Sequence, residues 1–101
     1  MQMSQDRGGD GSHSREASDA LRASLVEVLG LEAERVATFD AGTGLFGALP
    51  ELDSMAVATL LTDLEDRLTI VIDDDDVDVE SFETFGSLHA MLTTKLADKH
   101  H

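Results

Sequence analysis

Apolar residues recur at helical spacing in three separate stretches of the chain. The first apolar stripe consists of Leu21, Leu25, Val28 and Leu29. Its spacing places all four on one face of an amphipathic helix. Gly30 then ends the helix, because glycine readily adopts the left-handed conformation of a C-terminal cap. The pattern predicts a first main helix that begins near Ser18.

Two further stripes predict two more long helices. The second stripe consists of Val57, Leu60, Leu61, Leu64 and Leu68, and the third consists of Phe85, Leu88, Met91, Leu92 and Leu96. Asp53 or Ser54 can cap the second helix, and Thr84 can cap the last one. Between these two helices, residues 78–82 are predicted to form one short helix.

The segments between the helices lack a helical period. Residues 31–53 carry scattered apolar side chains among glycines, so we expect a long loop that packs over the core, with a helical turn at residues 32–35. Residues 69–72, "TIVI", are all β-branched but have no second strand to pair with, so an extended packing segment is expected. The predicted fold is all-α: a small four-helix bundle of three main helices and one short third helix, with a long loop between helices one and two.

A length of 101 residues predicts one domain. Residues 1–15 are rich in glycine and polar side chains, which predicts a disordered tail. The folded domain is expected over residues 16–98, and residues 99–101 form a polar tip. A domain of this size buries only about 60–65% of the surface of its unfolded chain, so a deep active site is not expected. The protein is therefore predicted not to be an enzyme.

The formal net charge of −14 limits the classes of partner. It disfavours binding to nucleic acid and to anionic membrane surfaces. It favours a basic protein partner and a monomeric state. The chain has no cysteine and therefore no disulfide or protein thiol. No apolar stretch approaches the ~20 residues of a membrane span, and the N-terminus lacks the apolar core of a signal peptide. Cytoplasmic localisation is expected.

Two motifs resemble those of a cofactor site and a metal site, but each lacks a required part. The "GTGLFG" segment, residues 42–47, matches G-x-G-x-x-G, yet a dinucleotide site needs a preceding strand and a following helix, which Pro50 interrupts. Asp74, Asp76 and Asp78 alternate like calcium ligands, but the positions that require glycine and glutamate hold valine and phenylalanine. We expect a loop with tight turns and a solvated acidic segment that screens divalent cations weakly, with no dedicated metal site.

Ser54 places a hydroxyl at the start of the second main helix. A serine hydrolase needs a base, an orienting acid and an oxyanion hole, and the G-x-S-x-G elbow is absent. His89 is the one candidate base in the predicted folded part, and it has no second metal ligand at helical spacing. No catalytic residue is predicted. On the residues alone, Asp53 or Ser54 caps the helix.

The segment "LDSMAVATLLTDLEDRL", residues 52–68, resembles the Asp-Ser-Leu segment of acyl carrier proteins. The resemblance extends over residues 17–96 and includes the glycine-bearing loop, "LPELDSM", the short third helix and "TFGSL" opening the last helix. It implies that Ser54, after Asp53, receives phosphopantetheine, and that the arm holds an acyl group as a thioester. It also implies a phosphopantetheinyl transferase and basic acyl-loading and acyl-transferring enzymes as partners, in lipid metabolism such as fatty acid biosynthesis.

The partner-binding residues that the resemblance implies are Met55, Asp63, Glu65 and Asp66. Ala56 and Thr59 stand where the family often has acids, and Met55 replaces the usual leucine at nearly constant volume. These departures favour a specialised carrier over the general carrier of fatty acid synthesis. The stretch "LFGALPELDSMAV" is similar to carriers encoded beside exopolysaccharide and exosortase systems.

Two other classes of protein stay open at the level of the sequence. One is a peptidyl or aminoacyl carrier, a class that usually has Gly-Gly-x-Ser where this chain has "LDS". The other is a helical interaction module that has the carrier fold but is not modified. A transferase assay separates the second class from the carriers, and charging with acyl groups or amino acids separates the two kinds of carrier.

Overall fold

The computed structural model of the protein describes residues 9–73 and 77–99. This part of the chain forms five helices: α1 (Gly9–Leu29), α2 (Ala33–Ala37), α3 (Ser54–Leu68), α4 (Val79–Glu83) and α5 (Phe85–Lys99). It contains no strand, and one isolated antiparallel bridge joins Gly44 to Thr84. The predicted all-α fold is confirmed, with α2 as the helical turn expected inside the long loop.

The core lies between α1, α3 and α5, whose predicted apolar stripes face one another. Its buried leucines are Leu21, Leu25, Leu60, Leu64, Leu68, Leu88, Leu92 and Leu96. Each fully buried leucine side chain contributes about 1.5–3 kcal/mol relative to an exposed one, so this cluster dominates the stabilisation of the bundle. The short α4 packs against α5.

The first helix begins at Gly9, well before its predicted start. Residues 9–15, for which disorder was predicted, belong to this helix, while residues 1–8 lie outside the described residues. Ala17 is fully buried and continues the apolar stripe one turn toward the N-terminus. The carbonyl oxygen of Ser14 also accepts a hydrogen bond from a histidine on α5. These two contacts tie the start of α1 to the bundle despite its glycines and polar side chains.

The long loop packs over the core, as predicted. Its buried apolar residues are Leu31, Val36, Phe39, Leu45, Leu49 and Leu52. Arg22 of α1 holds this loop in place, because its guanidinium donates to the carbonyl oxygens of Val36 and Phe39 at the end of α2. The same guanidinium lies 4.7 Å from the ring centroid of Phe85, in a cation–π contact that joins the loop to α5.

Backbone hydrogen bonds join the glycine-bearing loop to α4 and α5. The N–H of Phe46 donates to the carbonyl oxygen of Phe82 at 2.8 Å, and the N–H of Gly86 donates to that of Ala41 at 3.0 Å. A Cβ at Gly86 would lie 2.7 Å from the same Ala41 oxygen, so only glycine fits this close approach. Gly47, with φ of 88°, forms one of the predicted tight turns.

The C-terminal end of α3 is closed by residues that the helical pattern does not include. Thr69 adopts the left-handed conformation, with φ of 53° and ψ of 50°. The following Ile70 is buried, and the backbone N–H of Ile72 donates to the carboxylate of Glu65 at 2.7 Å. Residues 69–72 form no strand and Ile70 packs into the core, as predicted, but Thr69 is left-handed and not extended.

Candidate functional site

The N-terminus of α3 presents Ser54 at the first helical position. Asp53 is the N-cap, because its carboxylate accepts a hydrogen bond from the backbone N–H of Ala56 at 2.8 Å. The Ser54 side chain is exposed and makes no hydrogen bond within the described residues. Of the two predicted caps, Asp53 therefore does the capping, and the Ser54 hydroxyl stays available for chemistry.

Within residues 9–73 and 77–99, no histidine lines the cavity beside Ser54. His89 lies on α5, where its Nε2 is 2.8 Å from the carbonyl oxygen of Ser14 and its ring stacks on Phe85 with centroids 6.3 Å apart. It does not line the cavity beside Ser54. The described part of the chain therefore assembles no hydrolase triad at this serine.

An apolar cavity of about 270 Å³ opens beside Ser54, between α3 and α4. Its lining consists of Phe46, Ser54, Val57, Val77, Asp78, Val79 and Phe82. Asp78 is the N-cap of α4 and accepts a hydrogen bond from the backbone N–H of Ser81 at 2.8 Å. The capped N-termini of two helices therefore meet at one cavity, with a free hydroxyl at its edge.

A larger open groove of about 760 Å³ runs along α3, but Ser54 does not line it. Val28 of α1 and the exposed positions Ala58, Thr59 and Thr62 of α3 form part of its walls, and the predicted partner-binding acids Asp63, Glu65 and Asp66 complete its lining. The smaller cavity is the one that adjoins the reactive position, and it is therefore the candidate site.

The residues around Ser54 fit a phosphodiester-linked arm. An exposed primary hydroxyl at the first position of a helix places an attached phosphate at the positive end of the helix dipole, close to unsatisfied backbone N–H groups. The apolar cavity next to the hydroxyl offers space for an apolar group attached there. No side-chain cation is required for this fit, since backbone amides supply the positive potential.

The predicted partner contacts fall into two groups in the structure. Met55 is 81% exposed, and Asp66 is exposed without a partner in the described residues. Asp63 instead pairs with Arg67, whose Nε lies 2.6 Å from the carboxylate. Glu65 accepts the hydrogen bond that fixes the segment after α3. The partner-binding roles of all four residues stay predictions, but Asp63 and Glu65 already have structural roles.

The pair of Asp63 and Arg67 shifts the pKa of both groups toward their charged forms. Partial burial raises the pKa of Asp63, but the nearby Ser24 hydroxyl, the hydrogen bond from Arg67 and the positive charge of Arg67 outweigh it and lower the pKa overall. The hydrogen bond to Asp63 raises the pKa of Arg67, against the effect of burial, and Glu27 adds to this at 3.1 Å. The ion pair is therefore fully charged at neutral pH.

The structure also bears on metal binding and on membrane insertion. Within the described residues, no three His, Asp or Glu side chains come together to hold a metal ion. Asp74 and Asp76 of the alternating aspartates lie outside those residues. None of the helices in the described ranges is both long and apolar enough to cross a membrane.

The walls of the cavity contain residues that the sequence did not single out for function. Phe46 and Phe82 are brought together by the backbone hydrogen bond between the loop and α4. Asp78 and Ser81 form an Asp-x-x-Ser pattern, which is a capping signal that could have placed the start of α4 at Val79. The approach of α4 to Ser54, in contrast, depends on tertiary packing and leaves no local signal.

Comparisons with known proteins agree on one family. The family model described as "Phosphopantetheine attachment site" matches residues 19–92. The solution NMR structure of a holo acyl carrier protein from Nitrosomonas europaea matches with a TM-score of 0.72 and 42% identity, over 79% of this chain and 95% of that one. A comparison with curated proteins found no match.

Proposed function

Because the chain belongs to the acyl carrier protein family, we propose that Ser54 is the residue that carries its phosphopantetheine. Phosphopantetheine is the covalent cofactor of this family, and the matched attachment domain includes Ser54. One observation carries the assignment: Asp53 caps α3, so the exposed Ser54 hydroxyl has no structural task of its own. The chain is a carrier, and the residue that bears the arm is a substrate of another enzyme.

Attachment requires coenzyme A and a separate phosphopantetheinyl transferase. The Ser54 oxygen bonds to the phosphorus that carries pantetheine, adenosine 3′,5′-bisphosphate leaves, and the hydroxyl proton passes to a base of the transferase. The new phosphodiester lies at the N-terminus of α3, where a negative charge is stabilised by about 0.3–1 kcal/mol. The attached group supplies a thiol, which a chain without cysteine cannot supply itself.

We propose an acyl group as the cargo, held as a thioester and presented to acyl-loading and acyl-transferring enzymes with basic surfaces. The apolar lining of the cavity beside Ser54 supports acyl over aminoacyl or peptidyl cargo. Glu51 and Leu52 support the same choice, since peptidyl carriers usually have two glycines at these positions, in the pattern Gly-Gly-x-Ser. The alternative of an unmodified interaction module differs in one measurable property, because such a protein would not accept the arm.

Several finer expectations stay predictions from the sequence. These are the absence of catalysis, the cytoplasmic localisation, the monomeric state, the domain limits at residues 16 and 98, and the role in fatty acid or other lipid metabolism. The similarity to carriers of exopolysaccharide and exosortase systems is a further prediction about the pathway. The partner-binding roles of Met55, Asp63, Glu65 and Asp66 are proposals of the same kind.

The test is conversion of the purified protein by coenzyme A and a broad-specificity phosphopantetheinyl transferase. The intact mass should rise by one phosphopantetheine, and peptide mapping should place the addition on Ser54. The modified protein should then accept acyl groups from an acyl-loading enzyme and not amino acids from an adenylating enzyme. An unchanged mass with several transferases would contradict the proposal and favour the unmodified module.

A further inference from the structure

One wall of the cavity beside Ser54 belongs to α4, a helix of only five residues. Val79 and Phe82 of this helix line the cavity. Helices shorter than about 12–15 residues are marginal on their own, so α4 depends on tertiary contacts for its position. The shape of the cavity is therefore set by whatever holds α4 in place.

The glycine-bearing loop holds the junction between α4 and α5. The backbone N–H of Leu45 donates to the carbonyl oxygen of Glu83 at 2.8 Å, next to the bond that Phe46 makes with α4. In the opposite direction, the N–H of Phe85 donates to the carbonyl oxygen of Thr43 at 2.8 Å. Phe46 is also a wall of the cavity. A displacement of this loop would therefore move two walls of the cavity together.

Arg22 of α1 fastens the same loop at its other end. Its half-buried guanidinium donates to the carbonyl oxygens of Val36 and Phe39 and lies 4.7 Å from the ring centroid of Phe85. The Phe39 ring packs edge-on against the Phe85 ring, with centroids 6.4 Å apart. Arginine suits this place, because its planar fork can serve two acceptors while its face stacks on a ring. One side chain thus ties both the loop and the start of α5 to α1.

We propose that Arg22 is a positioning residue for the acyl cargo: it holds the loop, and through the loop Phe46 and α4, where they enclose the cavity beside Ser54. Arg22 does not line the cavity, so it acts through the loop and not by touching the arm. The proposal rests on the proposed function, since cargo reaches the cavity through an arm on Ser54. The volume of about 270 Å³ suits a short acyl chain, because an apolar protein cavity of about 150 Å³ already admits benzene.

The test measures how well the cavity protects a thioester. A broad-specificity phosphopantetheinyl transferase loads the protein with an acetyl or a hexanoyl arm from the matching acyl coenzyme A. Hydroxylamine then attacks the thioester carbonyl, forms a hydroxamic acid and releases the thiol of the arm. In the unaltered protein, the hexanoyl thioester should be cleaved at least about fivefold more slowly than the acetyl thioester, after correction for the two free acyl coenzymes A, because the cavity buries the longer chain.

Arg22→Met removes the donors of the guanidinium but keeps an apolar stem. The protection of the hexanoyl thioester should fall to within about twofold of that of free hexanoyl coenzyme A, because the hydrogen bonds that hold the loop are lost. Arg22→Lys keeps the charge without the planar fork and should retain about half of the protection. Thermal melts establish that each variant is folded, and if Arg22→Met does not fold, the loss in Arg22→Lys decides the test.

Arg67→Met is the matched control. It makes the same substitution in another arginine that reaches α1, where Arg67 lies 3.1 Å from Glu27 and also pairs with Asp63. Arg67 does not line the cavity, and its contacts are with acids and not with the loop. This variant should protect the hexanoyl thioester to within about twofold of the unaltered protein, although its fold is also weakened.

The proposal is overturned if Arg22→Met protects the hexanoyl thioester as well as the unaltered protein does. Equal losses in Arg22→Met and Arg67→Met would also overturn it, because general weakening of the bundle would then explain the result. So would an unaltered protein that protects neither thioester, since the cavity would then not hold the cargo. Failure of the proposed function gives a different result, in which the unaltered protein accepts no arm from any coenzyme A.

Discussion

The two ends of α3 use their polar side chains in opposite ways. At the N-terminal end, Asp53 satisfies the backbone and leaves the neighbouring Ser54 exposed and without a partner in the described residues. At the C-terminal end, Glu65 bonds to the backbone of the next segment, and Arg67 bridges α3 to α1. One helix therefore has a chemical end with a free hydroxyl and a structural end where Asp63, Glu65 and Arg67 are engaged in contacts.

This difference teaches that the acidic residues of a carrier cannot be assigned to partners by their position on a helix alone. In the sequence, Asp63 and Glu65 fall outside the apolar stripe, at positions typical of surface acids on an amphipathic helix. In the structure Asp63 pairs with Arg67, the residue that reaches Glu27 of α1, and Glu65 bonds to the backbone of Ile72. Mutations of the same chemical type should therefore have different consequences at the two ends.

The largest expected effect is at the chemical end. Ser54→Ala should abolish phosphopantetheine transfer completely while leaving the melt close to that of the original protein. Loss of a capping side chain typically costs about 0.5–2 kcal/mol, but Asp53 is the cap here, so this penalty should not apply. Intact mass after transferase treatment reports the chemistry, and a thermal melt reports the fold.

Thr59→Ala is the matched control for this prediction. It also removes an exposed hydroxyl from α3, one that bonds to the Met55 carbonyl oxygen of its own helix at 3.1 Å. Its modification should proceed fully. Continued modification of Ser54→Ala would place the arm on another residue and remove the chemical role assigned to this end of the helix.

The next largest effect is at the structural end, where neighbouring acids should differ. Glu65→Ala removes a charged acceptor 2.7 Å from the backbone N–H of Ile72, and such hydrogen bonds contribute about 1.5–3 kcal/mol. Asp66→Ala removes an exposed acid with no partner in the described part and should change stability by less than about 0.5 kcal/mol. Urea denaturation measures both, and equal stabilities would show that the Glu65 contact contributes nothing.

Much of this contrast could not be predicted from the sequence, although the helices could. The stripes of α3 and α5 and the cap at Asp53 follow from local rules, because spacing and capping act within a few residues. The cavity does not, since Phe46 and Phe82 meet through backbone bonds between distant segments. The family resemblance, and not any local pattern, singled out Ser54 among the hydroxyls of the chain.

At the start of α1, the helix is longer than the local sequence pattern predicts. Glycines and polar residues argued for disorder, yet Ala17 is buried and Ser14 bonds to His89 across the bundle. The structural role of Arg22 could not be predicted either, because the carbonyl oxygen of Phe39 that accepts its hydrogen bond lies in the following loop and the Phe85 ring that it contacts lies on α5. Tertiary contacts override weak local propensity in both cases.

A smaller effect tests the strained residue that ends α3. Thr69 is β-branched and left-handed, a combination that costs roughly 1–2 kcal/mol and that glycine adopts without strain. Thr69→Gly should raise the free energy of unfolding by about 0.5–1 kcal/mol, after the greater entropy loss of glycine on folding. Thr62→Gly, at an exposed position inside the helix, should lower it by about 0.3 kcal/mol, because glycine costs about 1 kcal/mol relative to alanine and threonine already costs about 0.7. Opposite signs for one substitution in one helix are expected in urea melts, and a loss of stability at both positions would contradict the strain.

The smallest expected effect concerns the pH dependence of the Asp63 and Arg67 pair. The folded state lowers the pKa of Asp63 below its ordinary value of 3.8, so the unfolded chain takes up this proton more readily than the folded one. The pair therefore stabilises the protein fully at pH values well above 3.8, and this contribution is lost as the pH falls through the lowered pKa. Its size at neutral pH should be at most about 1 kcal/mol, because the two side chains remain 28% and 26% exposed and solvent screens them.

Asp63→Asn should melt at a lower temperature than the original protein at pH 7, and the difference should shrink as the pH falls below 4. Asp66→Asn, which removes an adjacent acid without a partner in the described residues, should show no such convergence. A difference for Asp63→Asn that stays constant down to pH 3 would mean that packing of the side chain, and not the charge of the Asp63–Arg67 pair, stabilises this end of α3.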